Sequence, residues 1–504
     1  MAGSVQARRS WVGVWPYLPG PVLVVVIYLL TVTTGGRFLF EERFNTMQGL
    51  DFASLAADPW GSLMALHAQP PLMNILFALT DAAPDRLGYL EIVLAVVTTT
   101  LVVDCVRRSG GSRGSAAVAG LLYALLPGTV LYALFPYTTT VTAFFAMLTV
   151  WGISLALRRP GCGVAVSSLA MVGLFLVRAS VIWLFVLGWV ALLLIWLFRR
   201  TGMRRERIVG LIGAAVGIML VVLVQSHYWS AFKAPTLSSW SAENLSNALL
   251  RAGLTDDAKA RVSAQNPCFG QLVAAGAWQP VSTYPDCVSA FDLYPRGLPV
   301  LDLDVKNPPT VGTNFNAGQR VALARQWSAF ARAAISDEPS AFVRIVVGNG
   351  TVQGSLAQFL GRSDVYYQTL DIQKASQPWL WNLLGIWSAA FPILAWLVVI
   401  VAALRSLLQR RTRSWLPPPF WFGAALLLAH AVPSVLGDFG ENQRFRAELD
   451  PVLMAVMVIG LMSLVVLRRA PSAAKPIGDG DDGQMAMVAD SKAATADGSP
   501  STSR

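Results

Sequence analysis

Ten mostly apolar runs, with arginine gathered in the connections on alternate sides, constrain this chain more than any other feature. They cover residues 14–34, 87–106, 115–134, 137–157, 163–177, 180–198, 208–226, 380–404, 416–436 and 451–467. A helix of about 20 apolar residues matches the hydrocarbon thickness of a bilayer. The stretch 163–198 is too long for one crossing, and a hairpin at Arg178 divides it into two. Only 13% of the 504 residues are charged and 54% are hydrophobic. An ordinary soluble domain has about 25% charged residues, so this much apolar surface has to face lipid. The expected fold class is an all-α polytopic membrane protein with about ten transmembrane helices. The net charge of +10 reads as a topology signal and not as a nucleic-acid footprint, because arginine concentrates in cytoplasmic loops.

The arginines orient the helices. With the N-terminus inside, one side receives Arg107, Arg108, Arg158, Arg159, Arg199, Arg200, Arg405, Arg410, Arg468 and Arg469, among others. The short outer loops keep only Arg37, Arg43, Arg86, Arg178, Arg444 and Arg446. Both termini are expected in the cytoplasm and the protein in the plasma membrane. No small-residue cleavage site follows Arg8 and Arg9 before Arg37, so the first helix reads as retained. The stretch "LMALHAQPPLMNIL" (63–76) cannot be a span without reversing every later loop. It reads as an interfacial or re-entrant helix with Pro70 and Pro71 at its start or kink.

Four parts follow. Residues 1–226 form an N-terminal transmembrane module with a first outer loop at 35–86. Residues 227–379 form a mixed extracytoplasmic domain, 380–469 the C-terminal helices, and 470–504 a disordered cytoplasmic tail. In the outer region Cys268 and Cys287 are expected to pair, since that side is oxidising. There too Leu323, Trp327, Phe330 and Ala334 share one helical face, a core or docking stripe.

Polar residues beside membrane spans are costly and mark chemistry. Four clusters lie on the outer side. "FEERFNTMQGLDF" supplies Glu41, Glu42 and Asp51, carboxylates able to act as general base or to bind a divalent metal. His67 and Gln69 stand before the Pro-Pro pair. Arg178 in "LFLVRASVIW" offers a guanidinium for phosphate. "GDFGENQRFRAELDP" packs Arg444 and Arg446 among acids. Carboxylates on one wall and arginines on another suit a lipid-phosphate donor cleaved at the outer leaflet. No nucleotide-binding fingerprint is present in the sequence.

These motifs resemble the polytopic C-type glycosyltransferases (GT-C), which include protein O-mannosyltransferases and aminoarabinose transferases. The resemblance is best over 14–200 and rests on the acids after the first span, "HAQPPL", "LVRAS" and "ENQRFRAELDP". It implies an inverting transfer of a hexose or pentose from a polyprenyl-phosphate donor to an envelope acceptor: lipid, polysaccharide or protein. Glu41, Glu42, Asp51 and His67 would be catalytic, and Gln69, Arg178, Arg444 and Arg446 would hold the donor phosphate. No cofactor is implied beyond a candidate divalent metal. Many relatives carry a second acid near "FPYTTTVTAFF", where this chain has Thr138, Thr139 and Thr140. Six lysines against 33 arginines point to a GC-rich bacterial genome. Two other classes fit the same features: a lipid or polysaccharide transporter or flippase, and a non-catalytic envelope scaffold.

Overall fold

Nine helices among the described residues are long and apolar enough to cross a membrane: Trp15–Thr33, Arg86–Arg108, Thr138–Ala156, Pro160–Val177, Trp183–Arg200, Arg204–Phe232, Pro378–Leu408, Pro418–Leu436 and Asn442–Val465. The computed structural model describes residues 13–36, 49–80, 84–135, 138–233, 237–288, 298–307, 312–348, 354–365, 367–408, 416–437 and 442–469. A tenth candidate span, 115–134 in the sequence reading, is a pair of helices, Arg113–Ala124 and Pro127–Leu134, bent by 64°. The cause is Pro127, which forces Leu126 into an extended conformation (φ −74°, ψ 119°). Thr129 partly repairs the break by donating its hydroxyl to the Tyr123 carbonyl at 3.0 Å. The chain is an all-α polytopic membrane protein, and Arg178 sits in the turn between two of its spans.

The helices sort by burial. The Thr138–Ala156 and Asn442–Val465 windows are each 72% buried, whereas Trp15–Thr33, Trp183–Arg200 and Arg204–Phe232 are each 28% buried. The first pair is therefore central and the other three face outward. Thr138–Ala156 and Pro160–Val177 approach closely because small residues meet: a Cβ on Gly163 would come within 2.3 Å of Ala156. At the arginine-rich end Asp104 ties three spans together. It accepts from Tyr17 Oη at 2.8 Å and Trp151 Nε1 at 2.7 Å, and it pairs with Arg108.

At the opposite end, called the loop end below, the first loop forms three short helices, Phe52–Ala57, Pro59–Met64 and Leu72–Leu79. Asp51 and Asp58 cap the first two through their side chains. Pro71 is the N-cap of the third, so the Pro-Pro pair starts a helix. The Arg204–Phe232 helix runs past residue 226 and holds this loop, with His227 Nε2 donating to the Met64 carbonyl at 2.6 Å.

The large segment after residue 237 has a core of its own. Leu323, Trp327, Phe330 and Ala334 are all buried in it beside Tyr284. Cys268 and Cys287 form a disulfide in this core; closing so short a loop contributes about 3 kcal/mol. Among the described residues the segment's sheet is one antiparallel pair, Val305–Lys306 with Gly312–Thr313, and the remainder is mostly helical. Val300, Leu301, Val321 and Phe359 join the core of the membrane bundle, so this segment is knitted onto the helices.

Candidate functional site

The residues singled out in the sequence fall into two groups at the loop end. Glu41 and Glu42 lie outside the described residues, as do Asp438 and Glu441.

The first group surrounds His67, which is 1% exposed. Its Nε2 donates to the carbonyls of Asn316 (3.1 Å) and Ala317 (3.2 Å), which leaves Nδ1 to accept from the Ser239 hydroxyl at 2.9 Å. The Asn316 amide oxygen accepts from the backbone N–H groups of His67 and Ala68. The Gln69 carbonyl accepts from Tyr228 Oη at 3.4 Å. Asp51 is fully buried and both its oxygens are engaged, one with Ser54 and the other with the Asn307 N–H at 2.9 Å. Beside it, burial pushes the Lys306 ammonium down to about 8, against the opposing pull of Asp51. The sequence reading did not single out Lys306, since nothing in its neighbourhood announces a partner 255 positions away. The polar atoms that interrupt the apolar stretch 63–76 therefore stitch the first loop to residues 238–239 and 316–317.

Burial holds the His67 imidazole down, to about 4. The folded state takes up this proton only near pH 4, whereas the unfolded chain takes it up near 6.5. Stability from this residue is thus complete above pH 6.5 and is lost as pH falls toward 4, by about 3 kcal/mol in all. Unfolding of the detergent-solubilised chain followed across that window should show this acid loss, and H67N should lack it. An equal slope in both proteins would contradict the assignment.

The second group is built on the start of the Asn442–Arg469 helix. Helical spacing places Arg444 with Glu448 on one face and Arg446 with Asp450 on the opposite one. All four are buried, because this helix has neighbours on every side. Arg178 Nε lies 2.8 Å from Glu448, and His430 Nε2 lies 3.0 Å from the same carboxylate. The Arg178 and Arg444 guanidinium groups stand 3.9 and 4.9 Å from the Phe445 ring centre. Arg446 pairs with Asp450 at 3.6 Å, and among the described residues its two terminal nitrogens have no hydrogen-bond partner. Asp450 also accepts from Ser363 Oγ at 3.3 Å, and Tyr132 Oη donates to the Ser363 carbonyl at 2.8 Å. The start of this helix and its neighbours thus bury two guanidinium groups and mostly bury a third beside Glu448 and Asp450, and the Arg446 terminal nitrogens are donors with no hydrogen-bond partner among the described residues. Pro451 adds an acceptor: it has no N–H for the Ala447 carbonyl one turn back.

A small cavity, with room for about one water molecule, adjoins this cluster, lined by residues that include Tyr123, Tyr132, Thr139, Thr140, Ala447 and Asp450. Glu91 lies one helical turn from Ala95, fully buried and close to Thr140. Sequence reasoning passed over Glu91 because it stands alone in an otherwise apolar run. Among the described residues no group of three or more His, Cys, Asp or Glu could hold a metal ion.

No family model matches the chain, and no curated protein does. Among solved structures, the crystal structure of ArnT from Cupriavidus metallidurans bound to undecaprenyl phosphate is similar over 88% of this chain and 77% of that one. The two are 15% identical and the TM-score is 0.26, too low to carry an argument about this chain.

Proposed function

We propose that the protein is a membrane glycosyltransferase of the C type, which moves a sugar from a polyprenyl-phosphate donor to an envelope acceptor at the loop end. The observation that carries this reading is Arg446: a fully buried guanidinium, paired with Asp450 at 3.6 Å, whose terminal nitrogens have no hydrogen-bond partner among the described residues. Ionic groups are buried this way at the expense of solvation, and a diester phosphate supplies the missing acceptors. Arg178, Arg444 and Arg446 hold the phosphate and stabilise the charge that builds on it as the glycosidic bond breaks. Glu41 or Glu42 takes the proton from the acceptor hydroxyl. Asp51 and His67, already engaged in hydrogen bonds, position the loop that carries those acids, and Gln69 sits at its rim. In this reading the loop end faces away from the cytoplasm, since the opposite end carries the arginine-rich loops.

Transfer from polyprenyl-phosphate sugars to membrane acceptors, assayed with purified protein in vesicles, tests this. E41Q and E42Q made together should lower the rate about 10²- to 10⁴-fold while donor affinity stays within about threefold. Undiminished transfer in the double variant would remove the proposed base.

A second reading, a lipid transporter, draws on the span broken at Pro127 and on Glu91 buried inside the bundle, since transporters use broken helices beside intramembrane ionisable groups. Movement of the lipid phosphate across vesicles without sugar transfer would favour it.

A further inference from the structure

The segment after residue 237 leaves one apolar helix face uncovered. The helix Ser340–Val347, "SAFVRIVV", turns Ala341 and Ile345 into the segment's own core and packs Val346 against the core of the membrane bundle. Its opposite side exposes Val343 and Val347, one turn apart, at 58% and 66%. Arg344, the one charged residue of the helix, is drawn away from that side. Its Nε donates to the Gly253 carbonyl at 2.7 Å, and it pairs with Glu338.

The neighbours of this helix fix its height against the membrane. The buried Ser355 hydroxyl, at the start of the helix Ser355–Leu360, donates to the Val435 carbonyl at 2.6 Å and lies 3.4 Å from the Ile345 carbonyl. A Cβ on Gly354 would come within 2.3 Å of the Val347 carbonyl carbon, so the two short helices meet end to end. Val435 is in the last turn of the Pro418–Leu436 span. The 19 residues of that span reach about 30 Å, the thickness of the hydrocarbon core, so its last turn stands at the hydrocarbon edge. Leu428, Val432 and Leu436 are exposed at successive turns of the span and face lipid. Leu356, exposed next to Ser355, stands beside Leu436, and Val347 and Val343 follow on the adjoining helix.

We infer that Ser340–Val347 lies in the headgroup–acyl boundary of the bilayer at the loop end, with Val343 and Val347 among the acyl chains. The face docks the segment after residue 237 onto lipid. Two observations select lipid over a protein partner. The face adjoins the lipid-facing side of a span, at the same height as its end. Its few exposed side chains present far less than the roughly 800 Å² per partner that a stable protein interface buries, whereas a few inserted apolar side chains suffice for an interfacial helix. Because the face carries no charge, docking needs no anionic lipid.

The test places a bimane label through V343C, V347C, L436C or D256C on the full chain. The background is C105A/C162A, which removes the two free cysteines. Each labelled chain enters phosphatidylcholine vesicles with or without a nitroxide high on the acyl chain. L436C marks lipid, and D256C, on a side chain 98% exposed, marks water. V343C and V347C should lose at least about half as much emission as L436C, while D256C keeps its emission. Both valines project from the fold, so the second position stands in if the first variant fails to fold. Quenching reads position alone and is independent of what the loop end catalyses. Unquenched emission at both positions, matching D256C, would put the face in water and overturn the inference. Blue-shifted emission without quenching would mean that protein, such as a second copy of the chain, covers the face, and would overturn it equally.

Discussion

R446Q should lose sugar transfer by about 10²- to 10³-fold, the scale seen when one preorganised donor to a developing oxyanion is removed. Glutamine keeps a polar, hydrogen-bonding side chain and removes the charge and the fork. Lysine at the same place keeps the charge but presents it as a point, so R446K should recover only part of the rate. Stability complicates the comparison. Asp450 is buried beside Arg446, and removing the guanidinium leaves that carboxylate without its charged partner. The double variant R446Q/D450N separates the two effects. It neutralises both members of the pair, so its melting should return toward that of the wild type while transfer remains lost. If the double variant regains transfer along with stability, Arg446 serves only to neutralise Asp450.

The second large effect concerns the fold of the site. Glu448 is fully buried and holds both Arg178 at 2.8 Å and His430 at 3.0 Å. These partners come from different spans: Arg178 follows Pro160–Val177, and His430 lies in Pro418–Gly437. E448A would strip the acceptor from a mostly buried guanidinium, and breaking such a pair costs about 3–5 kcal/mol. Thermal unfolding followed by helical ellipticity should show that loss. H430N should cost only about 1 kcal/mol, the net worth of one hydrogen bond. E448A melting with the wild type would show that Arg178 and His430 find other acceptors, and that Glu448 is no anchor.

The membrane architecture was legible because its signal is local: each apolar run announces a helix, and alternation of arginine orders the ends. Even the hairpin at Arg178 followed from the length of the run and the arginines at both its ends. What the runs concealed was the break at Leu126, where a single Pro127 bends a span that reads as continuous. The arginine cluster was half legible. Arg178, Arg444 and Arg446 stood out by charge, but their arrangement around Glu448 and Asp450 depends on a last helix buried on every side. His67 and Asp51 were visible as polar residues in apolar surroundings. Their partners, Asn316, Ala317 and Asn307, lie some 250 residues away, a separation that no local pattern encodes. Glu91 and the Thr138–Thr140 hydroxyls become a group only when the Arg86–Arg108 and Thr138–Ala156 helices pack side by side.

Determining the structure of the chain with polyprenyl phosphate bound tests the central claim most directly. The phosphate should lie within hydrogen-bond distance of Arg446, with Arg178 or Arg444 as a second donor and its lipid tail leaving toward the outward-facing helices. A phosphate seated elsewhere, with the Arg446 terminal nitrogens still lacking an acceptor, would contradict the account.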